Sequence, residues 1–165
     1  MHFGHEDTES QIDLWHKLSL LRAALNSNSR AKLFKCTKLC DFGFWKDSSE
    51  IEIAREISTS NVHARSNNAK TALMFAAFAG TPQNIMELLA RGSDIHARSD
   101  DGRTALMWAA WWGNSDNVKV LIDAGADVTA RDKDDETPLQ ILEKKYEDSK
   151  KPDDYWRMRD LLWSE

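Results

Sequence analysis

His63 and His96 stand 33 residues apart, each followed by Ala-Arg-Ser. Two imidazoles brought together could bind a metal or exchange a proton. The third position of the series is Thr129, however, and no acidic residue recurs beside the histidines. They are read instead as turn residues bonding their local backbone. His2, His5 and His16 have no ligand-spaced partners except one another. The acidic run Asp132, Lys133, Asp134, Asp135, Glu136 offers oxygens for calcium, but lacks the spacing and turn glycine of an EF-hand loop. A solvated hairpin tip is the expectation there. Cys36 and Cys40 lie four apart on what reads as one helix. A structural zinc needs four ligands, and a disulfide this short would constrain almost no chain, so two thiols are expected. No glycine-rich phosphate loop, nucleophile elbow or zinc-peptidase motif occurs. The sequence therefore points to no enzyme, no metal and no cofactor.

Aromatic residues carry a different chemistry. Trp111 and Trp112 are neighbours on one helix and point about 100° apart, so both cannot bury against the same element. Tryptophan is enriched, with tyrosine and arginine, among the side chains that anchor protein partners. The pair is therefore expected at an interface, the alternative being that one of the two packs against the adjacent unit. Trp108 and Phe75 are expected to pack between neighbouring units. On the last helix Met158, Leu161 and Leu162 have core spacing, and Tyr155, Trp156 and Trp163 are expected to seal the end of the array, the alternative being a second contact surface.

The composition of the whole chain limits the other readings. It has 165 residues, 41% hydrophobic and 30% charged, with a formal charge of −5. That is the balance of one folded domain rather than a disordered tail. Lysines and arginines are dispersed, whereas a nucleic-acid partner needs a basic stripe to neutralise phosphates. No apolar run approaches the roughly 20 residues that span a bilayer, and Met1–Ser10 has no signal-peptide pattern. A cytoplasmic protein with no nucleic-acid or membrane partner is the expectation.

The elements that position these side chains repeat. Val62-His63-Ala64-Arg65-Ser66 returns as Ile95-His96-Ala97-Arg98-Ser99, and Thr71-Ala72-Leu73-Met74 returns as Thr104-Ala105-Leu106-Met107, then as Thr137-Pro138-Leu139-Gln140. Each offset is 33, and segments 62–94 and 95–127 agree at 15 of 33 positions. In each unit a threonine can cap a short helix, and Ala76-Ala77 or Ala109-Ala110 allow close helix approach. Gly80 and Gly113 are read as left-handed helix stops. A second amphipathic helix follows with Ile85, Leu88 and Leu89, or Val118, Leu121 and Ile122, and ends at Gly92 or Gly125.

This grammar resembles the ankyrin repeat, most completely in Gly102-Arg103-Thr104-Ala105-Leu106, Ala109-Ala110, Gly113 and Gly125-Ala126-Asp127-Val128. The resemblance implies an all-α solenoid of stacked helix-turn-helix units with hairpin-like connecting turns. It covers residues 61–146 well, and departs where the family's histidine is replaced by Met74, Met107 or Gln140. In the last unit Leu142-Glu143 replaces the alanine pair, and the outer helix is delayed by an extended Glu147–Pro152 loop, as suits a capping repeat.

The first third is less regular. Thr8–Gln11 has capping-box spacing before an apolar stripe, a second helix is expected over Arg30–Leu39, and a third opens at Ser49. One parse gives a tail and capping helix over 1–28, a degenerate repeat at 29–60, repeats at 61–93 and 94–126, and a capping repeat at 127–165. Another takes 8–40 as a repeat and 42–58 as a truncated one.

The resemblance further implies a concave face lined by inner helices and hairpin tips. By position this holds Phe78, Ala79, Trp111, Trp112, Lys144 and Lys145, with tip residues Asn67, Asn68, Lys70, Asp100, Asp101, Arg103, Lys133, Asp134 and Glu136. The expected function is non-catalytic binding of another protein by a monomeric adaptor, inhibitor or effector-type binder, with the partner bringing an apolar knob flanked by mixed or basic charge. The alternative is a homo-oligomeric scaffold associating through exposed aromatics.

Overall fold

A computed structural model describes residues 38–112, 114–147 and 150–163, all within the compact unit Lys35–Glu165. The expected helices before residue 38, the Thr8 capping box, Cys36 and Gly113 lie outside the described residues. Eight α-helices occur among those described: α1 (Phe42–Asp47), α2 (Glu50–Thr59), α3 (Ala72–Ala79), α4 (Pro82–Ala90), α5 (Ala105–Trp112), α6 (Ser115–Asp123), α7 (Pro138–Lys145) and α8 (Asp153–Leu162). None is long and apolar enough to cross a membrane.

Odd- and even-numbered helices form two layers. In the inner layer α1 packs on α3, α3 on α5 and α5 on α7, while in the outer layer α2 packs on α4, α4 on α6 and α6 on α8. The inner helix before α3 is thus α1, with Lys38–Cys40 forming a 3-10 turn rather than part of an α-helix. Cys40 is disulfide-bonded, which corrects the expectation of a thiol there. Ala76, Ala77, Ala109 and Ala110 are fully buried, so α3 and α5 approach with little between them. Leucine, isoleucine and valine from the outer layer fill the space behind, including Ile57, Ile85, Leu88, Val118 and Leu121.

Each helix start has a sequence cause. Asp41 accepts the Gly43 amide at 2.8 Å, and Ser49 with Glu52 forms a capping box. Thr71, Thr104 and Thr137 hydroxyls accept amides three residues on at 3.3–3.4 Å. The reciprocal bond shows what replaces the family's histidine. Met74 and Met107 sulfurs accept the amides of Thr71 and Thr104 at 3.5 and 3.4 Å, and Gln140 Oε1 accepts that of Thr137 at 2.9 Å. A thioether is a weak acceptor, so the internal units keep the capping geometry with a poorer bond and a better-buried side chain.

Gly80 is not the left-handed stop that its position suggested. Its φ is −88°, a value open to any residue. The glycine is required by proximity, because a Cβ here would lie 2.8 Å from Ala76 O and 3.1 Å from the Trp45 ring. Gly92 and Gly125 do take positive φ, at 83° and 91°.

The tips close by one pattern. Ser66, Ser99 and Asp132 amides donate to the carbonyls of Lys70, Arg103 and Glu136, and their side chains accept the return amides at 3.0–3.2 Å. Consecutive tips are joined by Asp100 N to Asn68 O and Lys133 N to Asp101 O, both 3.0 Å. Arginines at the same 33-residue interval form a second join. Arg65 donates to Ala69 O and Arg98 O, Arg98 to Gly102 O and Arg131 O, and Arg131 to Asp135 O.

A buried amide ties the layers. Asn117 on α6 donates to Ala77 O at 3.3 Å and Gly80 O at 3.1 Å, capping carbonyls left orphaned at the end of α3. Residues 146–152 separate α7 from α8 where residues 80–81 suffice between α3 and α4, so the delayed last helix has its longer connection. Tyr155, Met158 and Leu162 of α8 are buried, but Trp156 and Trp163 are not. Those two do not seal the array as expected, because α8 turns only its Tyr155 face toward α6 and α7.

Candidate functional site

The exposed ends of α1, α3, α5 and α7, with the three tips, form one face. Its centre is Phe78 at the end of α3. The Phe78 ring meets Phe42 of α1 at 5.0 Å, Trp108 of α5 at 6.0 Å and Trp112 of α5 at 5.4 Å between centroids. The first two are edge-on and the third is tilted, geometries favoured by the ring quadrupoles. The result is a strip of four aromatics across three units, in which Trp112 is 57% exposed and Phe42 39% exposed. Between Phe42, Lys70, Met74, Phe75, Phe78 and Trp108 lies a cavity of about 110 Å³.

The structure separates the tryptophan pair. Trp111 is half-buried against Met107, Ala130 and Ile141, reaching into the following unit. Trp112, one position on, points away from that cluster. Trp108 and Phe75 are half-buried against the main core. The Trp108 indole N–H is buried without a hydrogen-bond acceptor.

Cations lie over these rings. Lys70 Nζ is 4.1 Å from the Trp108 centroid, and Lys145 Nζ is 5.0 Å from Trp112 and 4.9 Å from Tyr146. The Arg103 guanidinium carbon lies 5.7 Å from Trp108 and 5.8 Å from Trp111. Such contacts hold long side chains against the face. Arg103 is fixed as well by Asp132, whose Oδ2 accepts its Nε at 3.1 Å. Burial pushes the Asp132 carboxyl up, but the Glu136 amide, Arg103 and the Asp134 amide outweigh it and hold it below the ordinary aspartate value. Lys144 pairs with Glu136, which raises the lysine above its usual range through their hydrogen bond and charge.

Asp132, Asp134 and Glu136 are the one group of acidic oxygens close enough to share an ion among the described residues. Both Asp132 oxygens are already committed, Oδ1 to the amides of Asp134 and Glu136 and Oδ2 to Arg103. The cluster is accounted for as the framework of the last tip. His63 and His96 sit on the connecting turns, where Asn61 Oδ1 and Asp94 Oδ1 accept their backbone amides at 3.0 and 2.9 Å. Asp127 does the same for Thr129.

A family model described as ankyrin repeats (3 copies) matches residues 20–132. The chain is an ankyrin-repeat protein. No curated protein matches it. Ankyrin repeats are protein-binding modules, and the two-layer stack, capped threonines and linked tips of this array are that fold. Of the positions expected on its binding face, Phe78, Trp112, Lys70, Arg103, Lys144 and Glu136 interact directly with another member of the face. Trp111 touches it through Arg103. Ala79 is half-buried beside Phe78 and packs against the core, while Asp100, Asp101 and Asp134 are exposed at the tips of the array. The sequence missed Phe42, which lies outside the clear repeats. The run Phe42-Gly43-Phe44-Trp45 was the available signal.

Proposed function

We propose that this chain is a non-catalytic protein-binding module whose concave face holds a segment of another polypeptide. One observation carries the reading. Trp112 keeps more than half its surface in water while leaning on Phe78, in a strip built from three consecutive units. Exposing so large an apolar surface is costly to solubility, and burying an aromatic at an interface is worth on the order of 2 kcal/mol or more.

The test is affinity capture from a native lysate with wild type and Trp112→Ala, after circular dichroism shows that both are folded. A partner held by wild type and lost by the variant supports the reading. Equal retention by both moves the binding surface off the concave face. A second reading, self-association, is favoured by Trp156 on α8 and Trp163 just after it, which are 50% and 57% exposed. It requires a solution mass that rises with concentration and returns to monomer on Trp156→Asp. A constant monomer mass at high concentration removes it.

A further inference from the structure

The charges along the aromatic strip indicate what kind of segment the face receives. Lys70 and Lys145 stand over its two tryptophan rings, Trp108 and Trp112, and neither lies within ion-pairing distance of a carboxylate among the described residues. The nearby acids of the last tip are otherwise engaged, Asp132 with Arg103 and Glu136 with Lys144. The uncommitted acids Asp100, Asp101 and Asp134 are exposed on the tips instead. The face is therefore cationic along the aromatic floor, while the rim is mainly acidic, with Asp100, Asp101 and Asp134 exposed around a single exposed Lys133.

The cavity under Lys70 is apolar on its other sides, lined by Phe42, Met74, Phe75, Phe78 and Trp108. At about 110 Å³ it is smaller than the ~150 Å³ engineered cavity that holds benzene, and suits one aliphatic side chain. An ammonium already lies over Trp108, so a cationic ligand would meet like charge there, whereas a carboxylate would find an unpaired partner.

Resting on the concave-face reading above, we infer that the occupant is a segment of a partner protein carrying an aliphatic residue flanked by acidic ones. The aliphatic side chain enters the Phe42–Phe78–Trp108 cavity, and the carboxylates pair with Lys70 and Lys145. The rim acids repel such a segment and so confine it to the floor. This reverses the sign of partner charge that the sequence suggested, because the acids counted there are either paired or on the rim.

The experiment is selection of a random peptide library displayed on phage against the immobilised full chain, followed by fluorescence anisotropy on the enriched peptides. Enrichment of leucine- or isoleucine-containing acidic peptides, with binding lost on Trp112→Ala, is expected. Lys70→Glu with Lys145→Glu should weaken those peptides about tenfold or more, since exposed pairs are each worth a few-fold. The same double variant should gain affinity for copies with lysine in place of glutamate, an exchange that unfolding cannot mimic. Enriched peptides that are basic or neutral yet depend on Trp112 overturn the inference and leave the concave-face reading intact. Peptides indifferent to Trp112 overturn both. Failure to enrich any acidic peptide also overturns the inference.

Discussion

Replacing Asp132 by asparagine isolates the contact that links the last tip to the aromatic floor. The Asp132 side chain is 1% exposed, and Oδ2 accepts Arg103 Nε at 3.1 Å while Oδ1 accepts the Asp134 and Glu136 amides at 2.9 and 3.0 Å. Asparagine keeps a carbonyl for the two amides but turns an NH2 donor toward the Arg103 donor. A hydrogen bond to a charged group is worth about 1.5–3 kcal/mol, and leaving its partner unpaired adds to the loss. Arg103 retains 21% of its side-chain exposure, so water relieves part of that penalty. The net cost is about 2 kcal/mol at pH 7. The cost also depends on pH in a fixed direction. The folded carboxyl titrates below the unfolded value near 3.9, so its contribution is complete above about pH 5. It is lost as pH falls through the folded pKa, where wild type carries a neutral acid much like asparagine. Urea unfolding of both proteins between pH 7 and pH 2.5 measures this. A difference below about 0.5 kcal/mol at pH 7, or one that does not shrink in acid, refutes the role assigned to Asp132.

Three further substitutions probe the scaffold. Asn117→Ala removes the donor to Ala77 and Gly80 carbonyls and should cost about 1–3 kcal/mol in chemical denaturation. Gly80→Ala places a methyl 2.8 Å from a backbone oxygen and should lower stability by about 1–3 kcal/mol, with Trp45 fluorescence shifted; an unchanged midpoint contradicts the close approach. Ala69 holds φ at 54°, the tip position occupied by Gly102 in the next unit, so Ala69→Gly should stabilise by up to about 1 kcal/mol. A loss of stability there would show that backbone entropy outweighs the left-handed strain.

The helices α3 to α6 were legible because inner threonine caps, alanine pairs and outer aliphatic residues recur at a fixed interval, and α7 keeps the threonine cap; each landmark has a local physical cause. The first inner helix was hard to read because α1 is only six residues long, has no copy of those landmarks and is opened by an aspartate instead of a threonine. Helical geometry showed that Trp111 and Trp112 could not both bury against one element, while the packing of Trp111 on Ala130 and Ile141 of the next unit decides which of them stays exposed. The strip as a whole could not, since it depends on Phe42 reaching Phe78 across units that share no motif. The lysine positions were visible, but not that both lysines lie against rings without a carboxylate. The tip acids were visible too, while their engagement by Arg103 and Lys144 belongs to the fold. Asn117 recurs as Asn84, but only position in the stack tells which carbonyls its amide meets.

Arg65 and Arg98 each reach forward to the main-chain carbonyl of the next arginine rather than to any of its side-chain atoms. The join is consequently indifferent to composition, because every residue offers the same carbonyl at that place. A unit copied in tandem arrives with one donor and one acceptor already at the correct spacing. The array can lengthen by whole units without inventing a new seam, leaving each copy's groove-facing positions open to diverge. The 15 shared positions between segments 62–94 and 95–127 are what such a history leaves behind, with Phe78 against Trp111 and Lys70 against Arg103 recording where the copies have since parted.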